Sequence, residues 1–365
     1  MKTMIDEPER GIEGYKKTIK NKVLWIVLFL VILIVVFIIS LYLGSTRMSI
    51  SEIIYNIFLN PFNANDTWFG YVTWDVRIKR SVAAIIAGCG LGVAGAAMQC
   101  VLKNPLGSPY TLGMSNAAAF GAALGIIILN GGAVIGQSVA SYQINNPYIV
   151  TISAFLFSMV ATAIIILMMR VINASPETMV LTGMALSAIF SAGIAFLQYS
   201  ASDMTLSAIV FWQFGDLEKI GWDHMWIIAL ATAVVIIILY CLRWDLNAID
   251  AGDDVAKALG VNVSFLRISV LTFSAIVTAV IVSFVGIIGF IGLLAPHLAR
   301  EVVGNDKRFL IPMSMLIGAV VLMIAMIIGE NAFEFTVPVG IITSVIGGPL
   351  FIYILLKGYS RKGIC

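Results

Sequence analysis

Histidine, cysteine and charged residues are scarce in this 365-residue chain. Charged residues make up 12% of the sequence, and the two histidines are His224 and His297. The cysteines form no C-x-x-C pair, and three lie in or beside apolar runs, which is typical of small packing residues rather than a disulfide framework. Their spacing offers no metal-ligand set with the histidines. We therefore expect no metal site and no bound cofactor on this chain. The cysteines are Cys89, Cys100, Cys241 and Cys365.

Motifs for nucleotide hydrolysis and covalent catalysis are missing as well. The sequence has no G-x-x-x-x-G-K-[ST] loop, no Gly-Lys dipeptide and no G-x-S-x-G motif. The stretch "GLGVAG" at 90–95 fits the G-x-G-x-x-G dinucleotide fingerprint, but it lies inside an apolar run with no preceding strand pattern. Gly88, Gly92 and Ala96, at four-residue spacing, instead favour close contact between helices in lipid. We expect no catalytic residues and no enzyme activity in this chain.

Apolar residues, in contrast, are abundant. They make up 60% of the chain, and the mean hydropathy is +1.00. The core of a soluble domain cannot bury so many apolar side chains. This composition predicts an all-α, multi-pass membrane protein. A helix needs ~20 apolar residues to cross ~30 Å of hydrocarbon. Eight uncharged apolar runs approach that length: 23–43, 81–102, 111–130, 148–169, 178–198, 225–242, 309–329 and 338–356.

A ninth apolar run, 268–299, is too long for one span and too short for two full ones. Gly286, Gly289 and Gly292 lie where the chain could turn back, so we predict a helix over 268–285 and a short helix over 286–299. The total is then about ten helices. The run 23–43 follows several lysines, as in a signal peptide, but its apolar core is too long and no small-x-small cleavage site follows Leu43.

The distribution of cations predicts the orientation of the chain. With the amino terminus in the cytoplasm and ten spans, 17 of the 22 Lys and Arg residues fall in cytoplasmic segments. We therefore predict a protein of the cell membrane with both termini cytoplasmic. Its parts are a tail over 1–22, a transmembrane domain over 23–356 and a second tail over 357–365. The net charge of +2 says little about partners, and no nucleic-acid partner is expected.

One cationic cluster lies on the outer side, against this bias. "WDVRIKRSV", residues 74–82, contains Arg77, Lys79 and Arg80 just before an apolar run. Long cationic side chains at a helix end can simply reach the membrane interface. Alternatively, Arg77 and Arg80, at i and i+3, share a helix face and offer their guanidinium groups to acidic groups of an extracytoplasmic partner.

The longest predicted cytoplasmic loop, 243–267, contains a short amphipathic pattern. Val255, Ala258 and Leu259 recur at i, i+3 and i+4, and Gly260 supplies a stop signal. The loop is either a solvated connector or carries a helix that fits a groove on another protein, and an apolar stripe without a partner is costly to expose. We favour the docking helix.

Few ionisable residues lie within the predicted spans. An ion-coupled secondary transporter, the alternative we consider, usually carries a carboxylate or a basic group near mid-membrane. Their scarcity, together with the missing P-loop, predicts that energy arrives from a separate ATPase subunit. A membrane enzyme or a purely structural protein would need a reactive cluster or a lipid-site motif that we do not find.

Four stretches together resemble the iron-chelate/cobalamin permease family of ABC importers. They are 76–125, which contains N-P-L, 253–261, 286–322, which contains G-L-x-x-P-H-x-x-R, and 338–356, all in family order. The resemblance implies a BtuC-like fold of ten helices that dimerises around a central pathway. It also implies an extracytoplasmic substrate-binding protein and two ATPase subunits, which would bind ATP and Mg²⁺.

The resemblance also implies roles for individual residues. "DVRIKR" matches an outer R-x-x-R element, so Arg77 and Arg80, with Lys79 beside them, would dock the binding protein through its glutamates. The ATPase-coupling helix would contain Asp253, Asp254, Ala258, Leu259 and Gly260. The cytoplasmic gate would contain Asn104, Pro105 and Leu106, with Ser175 in the loop that faces them.

The chain departs from the family pattern at three positions. Lys79 replaces a usual proline, and Gly329 and Thr336 stand where an outer arginine and a glutamate are common, with Glu330 and Glu334 nearby. The docking surface is therefore expected to be organised differently. Two arrangements follow: a heterodimer with a paralogous permease, or a homodimer in which Lys79 offsets the lost cation. A ferric siderophore is the expected substrate because it is the commonest in the family, and cobalamin, heme or an oxyanion stay open.

Overall fold

The computed structural model describes residues 6–44, 46, 48–59, 67–129, 133–135, 142–144, 146–171 and 175–362. Residues 1–5 and 363–365 of the two predicted tails, with Cys365, lie outside the described residues. The described chain is almost entirely helical. Its first helices are α1 (Asp6–Tyr42), α2 (Ile50–Ile54), α3 (Trp68–Tyr71), α4 (Lys79–Val101), α5 (Met114–Ile127), α6 (Pro147–Val171) and α7 (Pro176–Ser200). They are followed by α8 (Asp203–Gln213), α9 (Trp222–Cys241), α10 (Arg243–Asp250), α11 (Asp253–Ala258), α12 (Val263–Val285), α13 (Ile291–Val303), α14 (Lys307–Asn331) and α15 (Val339–Lys362).

Each of the ten predicted membrane segments coincides with one of these helices. Seven helical stretches are long and apolar enough to cross a membrane, and α5 and the first part of α15 are shorter apolar helices. The tenth segment is α13, which is only 13 residues long. The prediction of an all-α membrane protein is confirmed. One small difference is an antiparallel hairpin that pairs Ala133–Ile135 with Tyr142–Ile144.

The predicted break in the apolar run 268–299 is present. Helix α12 ends at Val285 and α13 begins at Ile291. Gly286 has a φ of +91°, a conformation that glycine adopts without a steric penalty, and its amide donates to the Val282 carbonyl. Phe290, at φ +64°, precedes α13. The chain therefore reverses direction between the two helices.

Helix α4 forms the centre of the bundle, and most of its residues are buried. A Cβ atom on Gly88 would collide with the backbone of Gly318, and one on Gly92 would collide with Ser314, both in α14. Gly95 approaches Gly292 of α13 in the same way. These contacts explain the glycines: Gly88, together with Gly92 and Gly95 of "GLGVAG", allows helix backbones to touch, as the four-residue spacing of Gly88 and Gly92 predicted.

We name the two ends of the bundle by helix α1: the N-terminal end is where α1 begins, and the far end is where α1 ends. Contacts between residues distant in sequence show which other segments lie at each end. At the N-terminal end, Arg308 donates to Tyr15 Oη, and Lys22 lies over the ring of Phe309. At the far end, the guanidinium of Arg77 bonds the Leu41 carbonyl at the end of α1. The predicted cytoplasmic gate and coupling residues lie at the N-terminal end, and the predicted outer cations lie at the far end.

Candidate functional site

The chain after α4 forms a tight turn at the N-terminal end. Asn104 Oδ1 accepts a hydrogen bond from Leu106 N at 2.9 Å, and the Asn104 carbonyl accepts one from Gly107 N at 2.9 Å. Such a turn suits Asn, whose side chain bonds the backbone two residues on, and Pro105 fixes its own φ. Asn104, Pro105 and Leu106, predicted at the gate, thus form one compact structural unit, the N-P-L turn.

Helix α13 holds this turn through His297. Its Nε2 lies 3.1 Å from the Pro105 carbonyl oxygen, across 192 residues of sequence. The sequence prediction gave His297 no role, although it belongs to the G-L-x-x-P-H-x-x-R signature. The contact joins the two most distinctive motifs of the chain in one site.

The carboxylate of Asp253, the first residue of α11, joins three elements. Its oxygens lie 2.9 Å from Lys103 Nζ and 2.8 Å from Arg267 Nη2. Arg267 also donates through Nε to the Val101 carbonyl at 3.1 Å, at the last residue of α4. We call Lys103, Asp253 and Arg267 the linking triad, because it ties α11 and α12 to the start of the N-P-L turn.

Electrostatics favour the ionised form of Asp253. Partial burial alone would raise the pKa of its carboxyl, but the hydrogen bond from Lys103 and the charge of Arg267 lower that pKa below its ordinary value. Lys103 has a φ of +47°, which is uncommon for a residue with a Cβ atom. The sequence prediction placed Asp253 on the coupling helix but missed both cations, which precede and follow it by many residues.

The predicted apolar stripe of α11 faces away from the bundle. Val255 and Ala258 are exposed, and 68% of Leu259 is exposed, whereas Ala256 is buried against the rest of the chain. Gly260 has a φ of +83° and ends the helix, as predicted. Asp254 is also exposed, and its carboxylate lies 3.4 Å from Lys257 Nζ. The stripe is therefore available to a partner.

Ser175 begins α7. Its Oγ accepts a hydrogen bond from Thr178 N at 3.3 Å, so it acts as the helix cap. Further along the same helix, Gly183 lies against the backbone of Leu112, in the segment that follows the N-P-L turn. A role for Ser175 in the cytoplasmic gate stays a prediction.

A cavity of about 660 Å³ opens beside the N-P-L turn. It separates the turn from the chain between α10 and α11, and both cations and carboxylates line it. The buried Gln99 Oε1 lies on its wall and has no hydrogen-bond partner among the described residues.

At the far end, Arg77 is turned into the protein. Only 6% of the residue is exposed, and its guanidinium donates to the carbonyls of Leu41, Tyr42 and Thr46. The last carbonyls of a helix lack partners within the helix, and Arg77 supplies donors to the end of α1. Arg77 lies in the last turn of a π-helical stretch, Val72–Ile78, that the sequence pattern did not reveal.

Arg80 contacts two glutamates. Its guanidinium lies 3.0 Å from Glu330 Oε1 and also forms an ion pair with Glu218, and 13% of the Arg80 side chain is exposed. Glu330 follows Gly329, the position where the resemblance led us to expect an arginine. Arg77 and Arg80 thus bond different groups of this chain. Lys79, which lies between them in the sequence, is half-buried. Docking of a binding protein by these three cations stays a prediction.

Comparison with known proteins places these features in a family. The model of the FecCD transport family matches residues 32–357. A Methanocaldococcus jannaschii protein described as an ABC transporter permease, MJ0087, is 40% identical over 350 residues, which cover 96% of this chain and 99% of that protein. The Fe(3+)-citrate import system permease protein YfmE of Bacillus subtilis is 33% identical, covering 94% of this chain and 97% of that protein.

The fold is similar to that of a solved structure described as a metal-chelate type ABC transporter in an inward-facing conformation. The two superpose with a TM-score of 0.77 and 28% sequence identity, covering 91% of this chain and 98% of the other. The similarity extends over nearly the whole described bundle.

Proposed function

Because the chain belongs to the FecCD transport family, we propose that it is the permease subunit of an ATP-driven importer that carries a ferric chelate into the cytoplasm. It is a multi-pass membrane protein with a BtuC-like permease fold. The observation that carries the proposal is the linking triad, which joins an exposed helix to the N-P-L turn. Such a link is what a transporter driven by a separate subunit requires.

The exposed stripe of α11 supports an ATPase partner. Val255 and Leu259 present apolar surface at the end of the bundle that carries most cations, which is the cytoplasmic end by the charge rule. An ATPase subunit would cover this stripe, as a groove covers an amphipathic helix. ATP and Mg²⁺ would bind to that subunit, since this sequence has no P-loop.

The linking triad supports a route from the ATPase to the gate. A displacement of α11 would pull on Asp253, and through it on Lys103 and the last turn of α4. The N-P-L turn follows directly and is held on its other side by His297. The turn therefore lies between the Asp253–Lys103 ion pair, which would move with the ATPase, and the His297–Pro105 contact, which belongs to the bundle. In this proposal it opens and closes the cytoplasmic side of the pathway.

A second permease subunit would complete the pathway, either a copy of this chain or a paralogue. Relatives support the substrate class: the Bacillus subtilis protein is named for Fe(3+)-citrate import. Ferric citrate is therefore the first substrate to test, followed by other ferric chelates, heme and cobalamin. An extracytoplasmic binding protein would deliver the chelate to the far end of the bundle.

A secondary transporter is less compatible with this chain. Within the described spanning helices, the carboxylates lie near helix ends, as with Asp223 in α9 and Glu330 in α14. An ion-coupled carrier uses ionisable groups near mid-membrane. The test is uptake of radioactive ferric citrate by proteoliposomes that contain the permease, with and without its ATPase and binding protein. We expect uptake only with all components and ATP, and uptake by the permease alone would contradict the proposal.

A further inference from the structure

Three helices change from polar to apolar sequence at the N-terminal end of the bundle. The apolar run of α1 begins after Lys22, that of α14 begins after Arg308, and that of α9 ends before Arg243. The structure brings these three boundaries together. Lys22 Nζ lies 5.3 Å from the centroid of the Phe309 ring, and the Arg308 guanidinium lies 5.1 Å from that of the Trp244 ring. We call the surface of residues 13–22, 240–245 and 306–309 the boundary site.

Aromatic rings lie beside the cations of the boundary site. The Arg243 guanidinium lies 4.5 Å from the centroid of the Tyr240 ring and 5.9 Å from that of the Trp244 ring. Trp244 is 56% exposed and Tyr240 is 37% exposed. Tyr and Trp are enriched at membrane–water interfaces, because their rings are apolar and their polar tips stay hydrated. The boundary site therefore lies at the level of the lipid headgroups, on the side that the distribution of cations assigns to the cytoplasm.

Positive charge exceeds negative charge in the boundary site. Lys307 adds nothing to its surface, because this residue is 1% exposed and bonds Asp250. Asp306 is already paired with Arg308. Glu301 of the neighbouring α13 lines the cavity beside the N-P-L turn. Apart from Lys307, the site has six cations and three carboxylates: Lys16, Lys17, Lys20, Lys22, Arg243 and Arg308, and Glu13, Asp245 and Asp306.

Two of these cations are positioned without being neutralised. No carboxylate of the described chain forms an ion pair with Lys22 or Arg243. Arg243 donates once, from Nη1 to the Tyr240 carbonyl at 3.0 Å, and a guanidinium has five N–H donors. Lys22 lies near Gly304, where the carbonyl end of α13 carries only a partial negative charge. Both side chains can therefore bind an anion.

Apolar side chains are exposed just beyond these cations, towards the middle of the membrane. Trp25 lies one turn after Lys22 and is 44% exposed, and Ile237 lies one turn before Tyr240 and is 62% exposed. A ligand held by the cations also meets apolar helix surface. An anionic phospholipid has both an anionic headgroup and acyl chains, whereas a free phosphate offers only charge. Juxtamembrane cations attract the anionic lipids of the cytoplasmic leaflet.

We propose that the boundary site binds an anionic phospholipid of the cytoplasmic leaflet. Its headgroup lies over Phe309 and Trp244, between Lys22 and Arg243, and its acyl chains follow the exposed faces of α1 and α9. The phosphodiester is the group that the two cations recognise. The lipid would fasten α1 to the bundle, which is useful because only 17% of the apolar part of α1 is buried. The site requires a membrane-spanning chain and is independent of the transported substrate.

The experiment measures lipid binding to the full chain, purified in detergent and stripped of lipid, by native mass spectrometry. Phosphatidylglycerol and phosphatidylcholine with identical acyl chains are the probes, and we expect phosphatidylglycerol to bind about tenfold tighter. Lys22→Gln and Arg243→Gln should each weaken its binding about fivefold, the usual contribution of one juxtamembrane cation. Arg170→Gln is the matched control. It removes an exposed arginine in the last turn of α6, outside the boundary site, and should leave binding unchanged.

The outcomes are distinct. Circular dichroism identifies folded variants, and because Lys22 and Arg243 lie on different helices, either folded variant is informative. Loss of the preference for phosphatidylglycerol in the folded variants, but not in Arg170→Gln, supports the site. Equal binding of the two lipids by the wild type overturns it, as does an unchanged preference in either folded variant or an equal loss in Arg170→Gln. Displacement of the lipid by an equal concentration of glycerol phosphate would assign the site to soluble phosphates and also overturn it.

Discussion

Asp253 and Lys103 form an ion pair in which Oδ1 lies 2.9 Å from Nζ. The pair connects the first residue of the exposed helix α11 with the residue that precedes the N-P-L turn. Arg267 bonds the same carboxylate and the carbonyl of Val101, so three separate elements share one charge centre. The helix that we propose as the ATPase-docking element is therefore joined by an ion pair to the residue before the turn that we propose at the gate.

Removing the charge of Asp253 should uncouple helix α11 from the N-P-L turn. We expect Asp253→Asn to lower ATP-driven uptake about tenfold while the ATPase still co-purifies and hydrolyses ATP. The stability cost should be only about 1 kcal/mol, because the pair is partly exposed and screened by solvent. Uptake and hydrolysis measured on the same proteoliposomes check this. Asp203→Asn is the matched control, since it removes an exposed carboxylate in α8, outside both the triad and α11. Equal losses in the two variants would contradict the role of the triad.

A charge in the exposed stripe should detach the ATPase. Leu259→Asp would place a carboxylate in an apolar contact, and an uncompensated charge there costs ~3 kcal/mol or more. This corresponds to a weakening of at least about 100-fold. Quantitative co-purification of the ATPase with the permease measures it. Lys257→Asp introduces the same side chain on the same helix and should retain the ATPase. Normal stoichiometry for Leu259→Asp would exclude α11 as the docking element.

Glu330 should contribute to stability at the far end. Glu330→Gln leaves Arg80 with Glu218 as its one remaining carboxylate partner among the described residues. Breaking a buried pair costs 3–5 kcal/mol, and because Glu218 remains we expect about 1–2 kcal/mol here. Thermal unfolding in detergent should show a lower Tm. Glu334→Gln changes an exposed residue in the adjoining segment and leaves both Arg80 ion pairs in place, so it should keep the Tm within roughly 1 °C of wild type, the effect of an ordinary surface change.

The stability of the N-terminal end should depend on pH through Asp306. Burial alone would raise the pKa of this carboxyl, but hydrogen bonds from the Arg308 side chain and amide, and from Asn247, lower it to about 2. Because the folded pKa is below the unfolded one, the stabilisation is present above about pH 4 and is lost as pH falls towards 2. The Asp306 side chain is partly exposed and solvent screens its contacts, so its contribution should be about 1 kcal/mol.

Comparison with Asp306→Asn isolates this effect. Asparagine still caps α14 but carries no charge, so the variant should unfold at a lower Tm than wild type at pH 7. The difference should shrink as the pH is lowered from 4 towards 2. Tm values across that range check the prediction, and a difference independent of pH would contradict it.

The sequence predicted the elements that local pattern determines. Apolar run length indicated the ten membrane segments, glycines indicated the break after Val285, and the i, i+3, i+4 pattern with Gly260 indicated α11. Each of these signals comes from residues that are close together in the sequence. The apolar stripe was also expected to be free for a partner, and the structure shows it exposed.

The contacts that make up the candidate site were not predictable in this way. Arg80 pairs with a residue 250 positions away, and His297 reaches Pro105 across 192 positions. Such pairs depend on how helices pack, which the spacing within one helix does not specify. Helical spacing placed Arg77 and Arg80 on one face. The π-helical stretch and the end of α1 give Arg77 a different partner.

The glycine contacts of α4 have a mechanical consequence. At Gly88, Gly92 and Gly95 the backbone of α4 lies directly against the backbones of α14 and α13, with no side chain between them at these points. A force applied to the last turn of α4 would then turn the three helices as a single block, while bending is left to the segments at its border. The hinges of the transport cycle should accordingly be sought around this block rather than within it.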